Sequence, residues 1–174
     1  GSTTVIYANE NWSTNVSGST GEFFSVSNQP VAEGRLFSAS EARSGSSVCV
    51  IGQTVVTKLF GFQNPLNKRI RLHKLSCEVI GVLKAKGQST MGTDQDDLVV
   101  IPIRTYQRRI AGNQDVNLIK VSIKDNVNAD QVKQAIEGIM RTRRHLANTE
   151  ENNFNVMDMK EIATMLSSTT QTMT

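Results

Sequence analysis

Two short apolar runs constrain this chain most: Val79-Ile80-Gly81-Val82-Leu83 and Leu98-Val99-Val100-Ile101-Pro102. Both are rich in β-branched residues and bounded by turn formers, the pattern of buried strands. A polar stretch with two glycines, Lys84 to Asp97, separates them. A core that needs both strands must also accommodate that stretch. Ordered loops of such length are commonly binding surfaces. The segment Gly87 to Asp97 is therefore the first place to look for a partner, with Gln88, Ser89, Met91, Asp94, Gln95, Asp96 and Asp97 as candidate contact residues.

The rest of the chain supplies strands and helices in mixed order. Thr4 to Tyr7 reads as a strand with Asn11 to Ser17 as its partner, and Gly21 to Phe24 as a helical turn with both rings in the core. Ser38 and Glu41 have capping-box spacing, which starts a brief helix ending near Ser44-Gly45. Val48 to Ile51 is a strand. Gln53 to Phe60 is an amphipathic helix, stopped by Gly61. Asn67 suits a turn position with positive φ. Ile70 to His73 alternates apolar with basic residues, as a half-buried strand does, and Leu75 to Leu83 pairs back on it. Thr105 to Ala111 reads as a helix closed by Gly112.

The pattern then changes. Val116 to Ile123 reads as a strand. Asn128 caps a helix whose Val132, Ala135, Ile136, Ile139 and Met140 follow the helical period, and Phe154 to Met157 reads as a strand. Asp158 and Glu161 have capping-box spacing before a final helix. Val116 to Met157 is thus a β-α-β unit, and the fold class is α+β.

Composition narrows the function classes. The chain has 174 residues, 38% hydrophobic and 20% charged, which suits a folded domain rather than a disordered segment. A net charge of +3 is a weak basis for nucleic-acid binding. No apolar run reaches the length of a membrane span, and no secretory signal is visible. Gly1-Ser2 has the look of a cloning remnant, which suggests an excised piece of a longer protein.

No constellation points to catalysis or cofactor binding. Asp94, Asp96 and Asp97 lack the central glycine and later bidentate acid of a calcium loop, so they read as a polar loop end. His73 and His145 have no acidic or cysteine neighbour at ligand spacing. No nucleophile motif and no phosphate loop with its lysine is present. Arg141, Arg143 and Arg144 complete a helix C-terminus, where the dipole favours cations. Cys49 and Cys77 sit in apolar runs. They read as buried thiols or as a cross-strand disulfide suited to an oxidising compartment. Asn11-Trp12-Ser13 and Asn15-Val16-Ser17 match the glycosylation sequon by chance in a Ser/Thr/Asn-rich stretch.

The linear order of motifs carries more than any one of them. Val31-Ala32-Glu33-Gly34-Arg35-Leu36-Phe37, Val48-Cys49-Val50-Ile51-Gly52, Lys58-Leu59-Phe60, Asn64-Pro65-Leu66-Asn67-Lys68, Val79-Ile80-Gly81-Val82, Lys86-Gly87-Gln88-Ser89 and Asp94-Gln95-Asp96-Asp97 follow in series. This series resembles the periplasmic core domain of MacB-type ABC transporter permeases. Two departures from the expected family pattern stand out: Asn67, where Gly is expected, and a start in which the family's additional strand and helix are expected to be absent or shortened.

The resemblance implies porter-like β-α-β units plus an inserted small mixed α/β lobe. Residues 1–47 would be the N-terminal part of the porter-like subdomain, and 48–113 the lobe. Residues 114–157 would form the second porter-like unit, and 158–174 the start of a stalk helix. It implies an extracytoplasmic, periplasmic domain of an inner-membrane protein, with the ATPase in a separate cytoplasmic domain and no enzyme activity or cofactor here. It further implies a homodimeric parent, a periplasmic adaptor protein and an outer-membrane duct as partners, and ATP-driven motion passed to substrate or adaptor. Relatives in the superfamily release lipoproteins or regulate cell-wall hydrolases. A small-ligand-sensing domain is the alternative from another class, and it requires a concave apolar pocket.

Overall fold

The computed structural model describes residues 1–26, 29–112, 128–145, 154–157 and Glu161. The chain separates into two compact units, Gly1–Lys120 and Val121–Thr174.

The first unit is built on one mixed sheet. Its strands are β1 (Ser2–Tyr7), β2 (Glu10–Ser19), β3 (Val31–Gly34), β4 (Val48–Ile51), β5 (Arg69–Leu72), β6 (Leu75–Leu83) and β7 (Leu98–Pro102). The order across the sheet is β3-β6-β4-β7-β2-β1-β5, and β5 also pairs with β6. That last pairing closes a ring, β6-β4-β7-β2-β1-β5, with β3 attached outside it. β6 makes closure possible by changing partners along its length. Leu75 to Glu78 pair with β5, and Gly81 to Leu83 pair with β3. On the other side, Glu78 to Val82 pair with β4 in parallel.

The strand patterns follow from which faces are covered. β4 and β7 and the second half of β6 are buried on both faces, so they read as continuous apolar runs. Cys49, Ile51, Cys77, Val79, Val99 and Ile101 point into the ring with Val5, Val16, Ile70 and Leu72. Val48, Val50, Ile80, Leu83 and Val100 form a second core on the outer face with Phe24, Phe37 and Ala42. β5, covered on one face only, alternates Arg69 and Arg71 outward with Ile70 and Leu72 inward.

Short helices cover the sheet: α1 (Phe23–Val26), α2 (Ala39–Ser44), α3 (Gln53–Leu59) and α4 (Ile103–Tyr106). Phe24 is buried as expected, whereas Phe23 is only half-buried against the second core. The Ser38/Glu41 capping box forms in both directions. Asn67 takes φ +65°, the positive value anticipated at that turn. The helix expected from Thr105 begins earlier, at Ile103, and continues as a π-helical segment, Gln107–Ala111, up to Gly112 at φ +70°.

The expected 47/48 boundary falls within the strand order of one sheet. β1 and β2 precede it, yet β2 pairs in parallel with β7 from Asn15/Leu98 to Ser19/Pro102. β3 likewise pairs with β6. Backbone hydrogen bonds of one sheet therefore cross the expected boundary, and residues 1–47 and 48–112 share their cores. The expected boundary at 113/114 and the strand Val116 to Ile123 lie outside the described residues.

In the second unit, α5 (Ala129–Arg143) is capped by Asn128, whose side chain accepts the Asp130 N–H at 2.8 Å. Lys133 Nζ meets Glu161 Oε1 at 2.6 Å. The Arg144 guanidinium lies 5.9 Å from the centre of the Phe154 ring. Phe154 to Met157, expected as a strand, show no strand pairing. Most of the residues meant to flank them, including the Asp158 cap and nearly all of the final helix, lie outside the described residues.

Candidate functional site

The loop between β6 and β7 is a folded miniature hairpin rather than an open tether. Gln88 and Asp94 form an antiparallel bridge, and the Gln95 N–H donates to the Gly87 carbonyl at 3.0 Å. Inside that frame, the Ser89 N–H donates to the Thr93 carbonyl at 2.8 Å, and the Gly92 N–H to the Ser89 carbonyl at 2.9 Å. The Ser89 hydroxyl accepts the Met91 and Thr93 N–H groups at 3.3 and 3.2 Å. Gly92 sits at φ +78°, in the left-handed region where a side chain would be strained. The tip is thus Ser89-Thr90-Met91-Gly92, and Met91 stands 60% exposed on it.

The three carboxylates close the hairpin and hold it to α3 and β2. Asp96 accepts the Lys86 and Gly87 N–H groups at 2.7 and 2.9 Å, tying the two ends of the loop together. Asp94 accepts the Thr54 hydroxyl at 2.6 Å and the Asp96 N–H at 2.9 Å. Asp97 accepts the Trp12 indole N–H at 2.9 Å and the Thr14 hydroxyl at 2.5 Å. Lys58 lies over the same Trp12 ring, 4.8 Å from its centre. The carboxylates therefore face three different directions. Among the described residues, no three His, Cys, Asp or Glu side chains gather where a metal ion could be held.

Backbone contacts complete the anchorage. The Thr54 N–H donates to the Asp96 carbonyl at 3.2 Å, and the Gly52 N–H to the Leu98 carbonyl at 3.0 Å. A Cβ on Gly52 would lie 2.1 Å from the Asp96 carbonyl oxygen, so only glycine lets the start of α3 approach the loop this closely.

All seven residues singled out from the sequence are on this hairpin, but in two roles. Gln88 and Met91 are exposed at or beside the tip, whereas Asp96 and Asp97 are half-buried and Asp94 is turned onto Thr54. Ser89 is spent on the turn, and Gln95 contributes its backbone. The anchors Trp12, Thr14, Gly52 and Thr54 carry no sequence signal of this role, because Trp12 and Thr14 are more than eighty positions from Asp97. Phe62, fully exposed beyond α3, was equally unmarked; a single exposed ring is ordinary for a protein surface.

What results is a closed β-scaffold that presents a small pinned hairpin. The MacB-like periplasmic core domain matches residues 1–139, and the chain belongs to that family. The macrolide export ATP-binding/permease protein MacB of Chlorobium luteolum is 37% identical over 173 residues, covering 99% of this chain and 26% of that protein. The pyoverdine export ATP-binding/permease protein PvdT of Pseudomonas syringae pv. syringae is 33% identical over 142 residues, 81% of this chain and 22% of that protein. The chain thus spans about a quarter of the length of the curated relatives it matches.

The fold agrees. The crystal structure of the periplasmic region of MacB from Actinobacillus actinomycetemcomitans superposes with a TM-score of 0.79 at 21% identity, covering 96% of this chain and 72% of that one. The extracellular domain of the ABC-type transporter YknZ from Gram-positive bacteria gives 0.69 at 23% identity, covering 91% and 77%. This chain is therefore the periplasmic core domain of a MacB-like ABC transporter permease, α+β in fold. No helix among the described residues is long and apolar enough to cross a membrane.

Proposed function

We propose that this domain transmits ATP-driven motion of its parent permease to a periplasmic adaptor or substrate during export, with the Gln88 to Asp97 hairpin as the contact surface. The ATP-binding part lies elsewhere in the parent protein, consistent with relatives named as ATP-binding/permease proteins. In this reading the parent works as a homodimer, and an outer-membrane duct receives the exported material. The observation that carries the proposal is the anchoring of an exposed tip: Asp96 closes the loop, Asp94 ties it to α3, and Asp97 ties it to β2 of the closed sheet. A tip held this way is displaced with the scaffold instead of absorbing its motion.

The ligand-sensing alternative has less support. The ring interior is filled by packed side chains. On α5, the depression lined by Ala135, Gly138, Ile139, Thr142 and Arg143 is an open surface groove. Lipoprotein release remains the other transport reading, and the same experiment addresses both. Replacing Ser89 to Thr93 with a two-glycine turn should leave the melting temperature within about 2 °C, since nothing buried is removed. Export by the full parent protein should fall to background. Unchanged export would overturn the proposal, and a ligand that raises the melting temperature by several degrees would favour the sensor.

A further inference from the structure

The interior of the ring holds two thiols, and nothing above uses them. Cys49 on β4 and Cys77 on β6 are both fully buried. β4 and β6 are adjacent parallel strands, with Cys49 opposite Val79. Cys77 lies two positions before Val79, so the two-residue period of a strand turns it to the same face. Both side chains belong to the ring's inner core. The Cys49 thiol donates to the carbonyl of Glu78, the residue directly after Cys77, at 3.5 Å. Burial, with a smaller contribution from the neighbouring Cys77 thiol, pushes the Cys49 thiol well above its ordinary range. In the folded ring these are two reduced thiols on adjacent strands, sealed from solvent, and unreactive there.

We propose that Cys49 and Cys77 are joined by a disulfide in the exported protein, an internal cross-strand bond made before the ring closes. The periplasm is an oxidising compartment, in which paired cysteines of exported chains are generally oxidised. Oxidation has to precede closure, because no donor reaches either sulfur afterwards. The thiolate of one cysteine attacks a donor disulfide, of the dithiol-disulfide oxidoreductase class, and forms a mixed disulfide. The second cysteine's thiolate then attacks the first cysteine's sulfur. The Cys49–Cys77 bond forms as the bond to the donor breaks. The donor leaves with both its sulfurs as thiols, carrying two electrons and taking up the two protons released.

The experiment uses the full parent protein in its membrane. Thiols are trapped with acid and alkylated after unfolding, and the peptides containing Cys49 and Cys77 are weighed with and without prior reduction. The expected result is one linked pair, about 2 Da lighter than the two peptides as free thiols, with no alkyl group on either cysteine until reductant is added. Two alkylated cysteines without reductant, or adducts with a small thiol, would overturn it. In parallel, this 174-residue chain is refolded under oxidising and under reducing conditions. The oxidised form should melt several degrees higher, since the bond restricts the unfolded chain. Chain folded under reductant and then moved to oxidant should keep both thiols for hours. A Cys49→Ala, Cys77→Ala double variant should melt identically in both conditions. A redox-dependent shift that survives in that variant would also count against the bond.

Discussion

At the scale of single residues, the loop depends on anchoring groups away from its exposed tip. Asp97 is the clearest. Its carboxylate takes hydrogen bonds from Trp12 and from Thr14, and Thr14 is buried. Asp97→Ala leaves a buried hydroxyl and an indole N–H without their acceptor, at a cost of about 2 kcal/mol. Asp97→Asn, which keeps an acceptor oxygen, should cost less. Thermal or urea unfolding of the two variants checks this, and an Asp97→Ala protein as stable as the parent would contradict it. Gly52→Ala tests the other anchor. The added methyl would meet the Asp96 carbonyl, and relieving that overlap should cost about 1–3 kcal/mol. Neither anchor was legible in the sequence. A carboxylate and its indole partner more than eighty residues apart leave no local pattern, whereas a loop between two apolar runs does.

At the scale of elements, local rules were readable wherever local chemistry decides. The Ser38/Glu41 spacing foretold a capping box, and both of its hydrogen bonds are present, at 3.1 and 2.9 Å. Glu41 also meets Arg35 at 2.6 Å. That hydrogen bond, with smaller help from the cap and the Arg35 charge, holds the carboxyl down to about 2, against an ordinary 4.5. A carboxyl depressed by folding stabilises fully above its unfolded value and loses that contribution as pH falls through its folded value. The stability difference between the parent chain and a Glu41→Gln variant should therefore be constant above pH 4.5 and shrink as pH drops from 4.5 toward 2. A difference that is flat across that range would contradict the assignment. Strand periods were equally legible: β5 alternates because one face is wet, and β4 does not because both faces are covered. What the periods could not convey is that β6 serves two partners along one edge. That exchange closes the ring, and it depends on pairings set far along the chain.

At the scale of the whole molecule, the family was readable from the order of short motifs, while the pairing of distant strands was not. The N-terminal stretch is rich in Ser, Thr and Asn, and nothing in that composition indicates that β2 is the hydrogen-bonded neighbour of β7. Composition reports solvent exposure, not which strand lies next to which. Placing β2 beside β7 also brings Trp12 and Thr14 under Asp97, so the same pairing anchors the proposed contact loop.

The most direct test of the central claim is equilibrium binding of the periplasmic adaptor by the full parent transporter carrying Met91→Asp. Met91 is exposed at the tip and packs against nothing in the core, so the variant should fold and melt like the parent. Placing a charge where an apolar contact belongs should weaken adaptor binding about tenfold or more. A dissociation constant equal to the parent's, with the fold intact, would contradict the assignment of this hairpin as the contact surface.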